Sequence, residues 1–235
     1  MGSLFANVFL HPGKEAALAR FHPWIFSGAI MRTEGNPSEG DIVTVRSARG
    51  QSLATGFWFQ GSLAIKVFSF VPVQPDEDYW FQRLKDAFLF RERLGITGGR
   101  LSDAYRLVFS EGDRLPGLII DIYKDVAVIQ AHHQGMFRLL PVWTEALGKF
   151  YGTSLKAVYS KSAETMERNR KSADNPARES KIVDGFLYCQ SGPVTITEAG
   201  HRFIVDFERG QKTGFFLDQR SNRLFAQFYG SGRKV

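Results

Sequence analysis

The stretch Asp41 to Phe68, DIVTVRSARGQSLATGFWFQGSLAIKVF, marks the N-terminal part of the chain as β-structure. From Asp41 to Arg46 apolar and polar side chains alternate, as they do on a strand with one buried face. Arg49-Gly50 supplies a turn, and Leu53–Phe59 and Leu63–Phe68 follow as further strands. Short strands divided by glycine turns predict a compact barrel, expected over residues 1–73. Upstream, Lys14–Ala19 reads as a short helix that His22-Pro23 ends. Trp24-Ile25-Phe26 reads as a core run closed by Gly28.

Downstream, Pro72 and Pro75 punctuate the exit from this unit. From Asp76 to Leu94 the period becomes helical, with Trp80, Leu84, Ala87, Phe88 and Arg91 three and four residues apart. Asp76, Glu77 and Asp78 sit where the helix dipole favours negative charge, and residues 74–98 are expected to form a linker helix. A second unit is expected over 99–207. Tyr105–Phe109 is strand-like, Gly112-Asp113 and Pro116-Gly117 mark turns, and Leu118–Tyr123 pairs with Val126–Ala131 across Lys124-Asp125. Met136–Phe150 places Leu139, Leu140, Trp143, Leu147 and Phe150 on one helical face. Ala157–Tyr159, Lys181–Gln190 and His201–Phe207 would complete the sheet. The class is therefore α+β, a β-barrel followed by a β-β-α-β-β sandwich. Lys161–Asp184 has almost no apolar residue and is expected to be a mobile loop, or one ordered by a partner. Beyond it, Leu224, Phe225 and Phe228 predict a last amphipathic helix within 208–235.

With 235 residues and 43% hydrophobic content, the chain can hold two small domains. No run reaches the ~20 apolar residues of a membrane helix, and Gly13, Lys14 and Glu15 interrupt any secretion signal. One cysteine, Cys189, excludes an internal disulfide and fits a reducing, cytoplasmic setting. The net charge of +6 fits a polyanionic partner such as RNA, although mild basicity also occurs in proteins that bind no anion.

Four segments, in order, carry a family resemblance: GKEAALARFHPWIFSGAI, GDIVTVRSARGQSLATG, YRLVFSEGDRLPGLIIDIY and QKTGFFLDQRSNR. Along the whole chain they resemble the RNA (cytosine-C5) methyltransferases of the bacterial large-subunit ribosomal RNA type. The resemblance implies a PUA domain, a central α+β domain and a Rossmann-like domain that binds S-adenosylmethionine (SAM). It also implies ribosomal RNA as partner, with the family's SAM loop, catalytic cysteine and Asp-Pro-Pro motif lying past Lys234-Val235. The chain is accordingly expected to be the front part of a larger protein, inactive alone. A stand-alone RNA-binding module and a protein adaptor are the other readings, and a homodimer stays open. The charge-rich ETMERNRKSADNPARES is unusual, and its composition has no physical account.

By the same resemblance, Gln211–Arg223 helps wall the SAM pocket. Phe215 and Phe216 would supply apolar surface, Gln219 a hydrogen bond, and Asp218 and Arg220 further contacts. Arg220 and Arg223 have the fork geometry for carboxylate or phosphate, with Arg223 assigned to RNA. A structural reading stands beside this one: Asp218 as helix cap, Gly214 as special backbone angle, and solvated arginines. In the barrel, Lys14, Arg20, His22, Arg32, Arg46 and Lys66 are candidate phosphate contacts, and Phe21 and Trp24 candidate stacking platforms. Cys189 lies in an apolar run and is expected to be buried and structural rather than nucleophilic. His132-His133 point to opposite strand faces without a ligand cluster, so no metal is assigned. Ser110-Glu111-Gly112-Asp113 reads as a tight turn in which Asp113 bonds its own backbone.

Overall fold

The computed structural model describes residues 5–99, 101–171 and 182–230. Six strands form the first sheet: β1 (Ala6–Leu10), β2 (Trp24–Phe26), β3 (Ile30–Glu34), β4 (Ile42–Arg46), β5 (Ser52–Trp58) and β6 (Leu63–Ser69). Their order is β2-β6-β5-β4-β1-β3, and β1 with β4 is the parallel pair. The two end strands, β2 and β3, are separated in the chain by Ser27–Ala29 alone. Three residues reach about 10 Å at most, so the sheet must curl until its ends meet beside that turn. The result is the expected barrel, filled by Val8, Leu10, Ile25, Val43, Val45, Ala54, Ile65 and Val67. Trp24-Ile25-Phe26 is not a core run. Side chains alternate along β2, so Ile25 is buried while Trp24 and Phe26 are exposed.

The second unit is built on the sheet β11-β10-β9-β8-β7. Its strands are β7 (Ala104–Phe109), β8 (Leu118–Tyr123), β9 (Val126–Ala131), β10 (Ala157–Ser160) and β11 (Gly185–Tyr188). Besides α1 (Ala16–Ala19) in the barrel, the chain has α2 (Glu77–Arg93), α3 (Gln134–Arg138), α4 (Leu140–Tyr151), α5 (Ala163–Lys171) and α6 (Arg220–Gly230). Asp76 caps α2 by accepting the Tyr79 N–H at 2.8 Å. Alternation along the strands sorts the core into two layers. Leu118, Ile120, Ile122, Ala127 and Ile129 pack against Trp80 and Leu84 of α2 and Trp143 and Leu147 of α4. Tyr123, Val126, Val128, Ala157 and Tyr159 face Val194, Ile196, Val205 and Phe207 on the opposite side.

Four expectations change. Helix α2 is no linker, since it forms half of the helical layer over the central sheet. The strand expected at His201–Phe207 leaves the main sheet as β13 (His201–Val205) and pairs with β12 (Val194–Glu198) in a separate ribbon. The single helix expected over 136–150 is two, because His133 caps α3 and Pro141, which lacks an N–H, opens α4. Lys161–Asp184 is also partly ordered, as helix α5 with Met166 and Ile182 buried and polar groups bonded beside them. The Asp184 carboxylate accepts the Ala163 N–H at 2.8 Å, and the Ser162 hydroxyl accepts the Ala131 N–H at 3.0 Å. Residues 172–181 of that expected loop lie outside the described residues. Among the described residues no helix is long and apolar enough to cross a membrane.

The two units share a core. Phe57 and Phe68 of the barrel belong to the same buried cluster as Trp80, Met136 and Trp143. The Phe57 and Trp80 rings stack at 6.1 Å, and Arg138 pairs with Asp41 across the seam at 2.8 Å. A Cβ on Gly135 would lie 2.5 Å from the Gly40 carbonyl oxygen, so the backbones touch there.

Candidate nucleic-acid interface and the anchored C-terminal segment

At the outer rim of the seam, register places Trp24 of β2 opposite Lys66 of β6. Both reach Glu111 of the central unit: the Trp24 indole Nε1–H donates to its Oε1 at 3.3 Å, and Lys66 Nζ lies 3.3 Å from the same oxygen. Burial alone would raise the Glu111 pKa. The Ser110 hydroxyl, the Lys66 ammonium and the indole N–H outweigh it and hold the group at about 2. Lys66 is therefore a paired cation. Arg46 is committed too, donating to Asn7 Oδ1 at 2.7 Å and to the Gly50 carbonyl at 2.8 Å. Arg32 pairs with Glu34 and lies 3.5 Å over the Phe9 ring. Lys14 and Arg20 are exposed. His22 accepts the Trp24 N–H at 3.2 Å through Nδ1.

The segment Gln211–Arg223 is held down from both ends. Thr213, buried, donates through its hydroxyl to Asp121 at 2.5 Å and meets the Tyr123 hydroxyl at 2.9 Å. Asp121 in turn accepts Arg106 Nε and Nη2 at 2.8 and 2.9 Å. Burial raises the Tyr123 pKa well above its ordinary value, so its hydroxyl stays protonated and able to bond. At the other end, Glu198 of β12, 2% exposed, receives Arg220 Nε at 3.1 Å and Arg223 Nε and Nη2 at 2.7 and 3.0 Å. The remaining forks reach carbonyls: Arg220 Nη2 that of Ala104 at 2.7 Å, Arg223 Nη1 that of Phe216 at 2.8 Å. Burial would raise the Glu198 pKa, but the two guanidiniums lower it. Phe215 is half-buried beneath Arg223, whose guanidinium lies 4.4 Å from its ring. Phe216, Asp218 and Gln219 are exposed, with Lys212 Nζ 4.8 Å from the Phe216 ring. Asp218 lies inside the short 3-10 turn Leu217–Gln219 that leads into α6.

Other candidates resolve locally. Cys189, expected buried, is exposed because β11 ends at Tyr188 and the chain turns there with φ +44°. His133 is buried; its Nε2–H donates to the Pro116 carbonyl at 2.8 Å and its Nδ1 accepts the Met136 N–H at 3.3 Å. His132 bonds Gln130 at 3.2 Å instead. Asp113 accepts the Phe109 N–H at 2.5 Å, as a tight turn requires, and also pairs with the buried Arg91 at 2.7 Å. Sequence reasoning missed Glu198, Asp121 and Arg106. A lone carboxylate inside Leu118-Ile119-Ile120-Asp121-Ile122-Tyr123 was one available signal, since a buried charge needs a partner. Two arginines three apart on one helical face were another.

Comparison with known proteins bears on the barrel first. Residues 8–70 match the family of PUA-like domains. The PUA-like match spans from β1 to the end of β6, and so includes Trp24 and Lys66. The whole chain is similar to a "Ribosomal RNA large subunit methyltransferase I" from Serratia proteamaculans, 33% identical over 231 residues, covering 97% of this chain and 56% of that protein. The protein of the same name from Aeromonas salmonicida is 36% identical over 234 residues, again 97% of this chain and 56% of its own. The chain thus spans just over half the length of the relatives it matches. Among solved structures, a candidate SAM-dependent methyltransferase from Streptococcus mutans superposes with TM-score 0.71 at 21% identity, over 92% of this chain and 52% of that one. A second, a candidate methyltransferase complexed with SAH, gives 0.72 at the same identity and coverage. These two likenesses speak for the fold alone.

Proposed function

We propose that this protein serves SAM-dependent methylation of large-subunit ribosomal RNA at C5 of a cytosine, and that its PUA-like and central domains recognise the RNA. The observation that carries this reading is the 33–36% identity, over 97% of the chain, to proteins named ribosomal RNA large subunit methyltransferase I. The net charge of +6 and the exposed Lys14 and Arg20 on the barrel support it. The cytosine-C5 specificity follows from the sequence resemblance.

Of the residues assigned to the cofactor, Phe216, Asp218 and Gln219 fit one wall of a SAM site, since their side chains are exposed beside an apolar ring. Arg220 and Phe215 do not fit it; they are taken up by Glu198 and Arg223. SAM, when bound, supplies an electrophilic methyl group. The chain's part is to hold the segment that presents Phe216, which the Thr213–Asp121 and Arg223–Glu198 bonds do from either side. Lys14 and Arg20 then neutralise phosphate. Arg32, Arg46, Lys66 and Arg223 are left out of that set because groups within the chain already engage them.

A filter-binding titration against large-subunit ribosomal RNA between about 50 and 200 mM salt tests the reading. Affinity should fall linearly on logarithmic axes, and ribosomal RNA should be preferred to heparin at matched charge. Equal retention of heparin, or binding indifferent to salt, would overturn it.

A further inference from the structure

We propose that the rim of the seam between the PUA-like barrel and the central sheet is a site for unpaired RNA bases. Trp24 and Phe109 are its stacking platforms, and Glu111 positions Trp24. The proposal rests on the RNA reading above and names which part of the surface meets the bases.

Three observations converge there. Large aromatic side chains are exposed on the two segments that meet at the rim: Phe21 (68%), Trp24 (40%) and Phe26 (50%) on and just before β2, and Phe109 (56%) at the end of β7. Single exposed rings are ordinary, whereas grouped ones mark an interaction surface. The Trp24–Glu111 bond ties β2 to the turn that follows Phe109, so the rings belong to one locality across two domains. Next, backbone strain sits in the same place. Phe21 and Ser110 have φ +59° and +48°, a region that side-chain-bearing residues enter at a cost and keep only when their surroundings impose it. The Ser110 turn is imposed by the Gly117 N–H donating to the Ser110 hydroxyl at 2.7 Å and by Asp113 bound to buried Arg91.

The third observation is the sign of the charge. Glu111 remains ionised and pairs with Lys66, so this pair is net neutral and offers phosphate no excess positive charge. A strand of RNA would therefore lay its backbone toward Lys14 and Arg20 and turn its bases onto the rings. Bases within a duplex are already stacked, which leaves loops and single strands as the occupant. Trp24 is suited to the role because its ring is fixed by the indole bond to a carboxylate that does not protonate near neutral pH.

The test uses the full chain and two labelled RNAs of one composition, an unpaired oligomer of about a dozen nucleotides and a duplex, with binding read by anisotropy. Trp24→Ala and Phe109→Ala should each weaken the unpaired RNA roughly 5- to 100-fold, the range of base–aromatic stacking. They should leave duplex affinity and the salt slope unchanged, since no phosphate contact is lost. Trp24→Phe keeps a ring but loses the indole bond to Glu111, so it should bind unpaired RNA more tightly than Trp24→Ala and less tightly than the parent, with smaller RNA-dependent quenching of tryptophan fluorescence. If both alanine variants hold unpaired RNA as the parent does, the seam site is wrong while the RNA reading stands. If the parent binds neither RNA, both fall.

Discussion

At Gly214 the backbone has φ +121°, and an added Cβ would lie 2.6 Å from Phe207 Cα. Both the conformation and the contact exclude a side chain. Gly214→Ala should therefore destabilise the chain by about 2 kcal/mol or more, read as a lowered urea midpoint with unchanged slope. A midpoint equal to that of the parent would show that the turn is not built as described. His133 makes a second residue-level case. Burial pushes its pKa down to about 3 from 6.5, so the folded chain refuses a proton that the unfolded chain accepts. Stability must then fall as pH drops from about 6.5 toward 3, by at most ~1.4 kcal/mol per unit. Glu111, held at about 2 against 4.5, adds a further loss below pH 4.5, because the unfolded carboxyl protonates first. His133→Asn keeps an acceptor for the Met136 N–H and removes the larger titration, so its unfolding midpoint should fall less steeply between pH 6.5 and 4.5, the residual slope coming from His132, whose pKa burial also lowers. A slope matching the parent's in that window would acquit the histidine.

Among the elements, those whose side chains alternate or recur over a buried face were legible in the sequence: β4, β5, β6, β8, β9 and α2 all fall where the periods place them. Strand β3 was not, because Met31, Arg32 and Glu34 face solvent and leave it the composition of a loop. The ribbon β12–β13 was missed for a different reason. Pairing between two strands is a long-range choice, and nothing local told His201–Val205 to leave the main sheet. The anchoring of α6 was equally hidden, since Glu198 lies in another element from the arginines that bind it. That clamp predicts a regional effect. Glu198→Gln leaves two guanidiniums without their carboxylate, and partial exposure of the arginines moderates the cost to roughly 2 kcal/mol. Amides of Thr213–Leu217 and α6 should exchange with deuterium faster, while those of β4 and β5 keep their protection. Uniform acceleration across the chain, or none, would count against a local anchor.

For the whole molecule the decisive arrangement is a barrel with a filled interior whose outer aromatic face is buried by the central unit. Phe57 on β5 and Phe68 on β6 are 1% and 0% exposed, yet they are covered by Trp80 of α2 and, through it, by Trp143 of α4. Separating the units would open that aromatic cluster to water, together with the Gly40–Gly135 contact. The interface is thus apolar and close-packed, unlike the polar seams that permit independent domain motion. Such a seam also holds Trp24 and Glu111, one from each unit, at a fixed distance. Phe57→Ala removes a ring from the shared cluster and should cost about 3–5 kcal/mol. The location of that loss is what matters. If the chain is one cooperative body, exchange protection in barrel strand β4 and in central strands β8 and β9 should fall by the same amount, and fluorescence and far-UV circular dichroism should trace one transition. If the units are independent, only β4 should lose protection, the two optical transitions should separate, and the fixed geometry across the rim would have no basis.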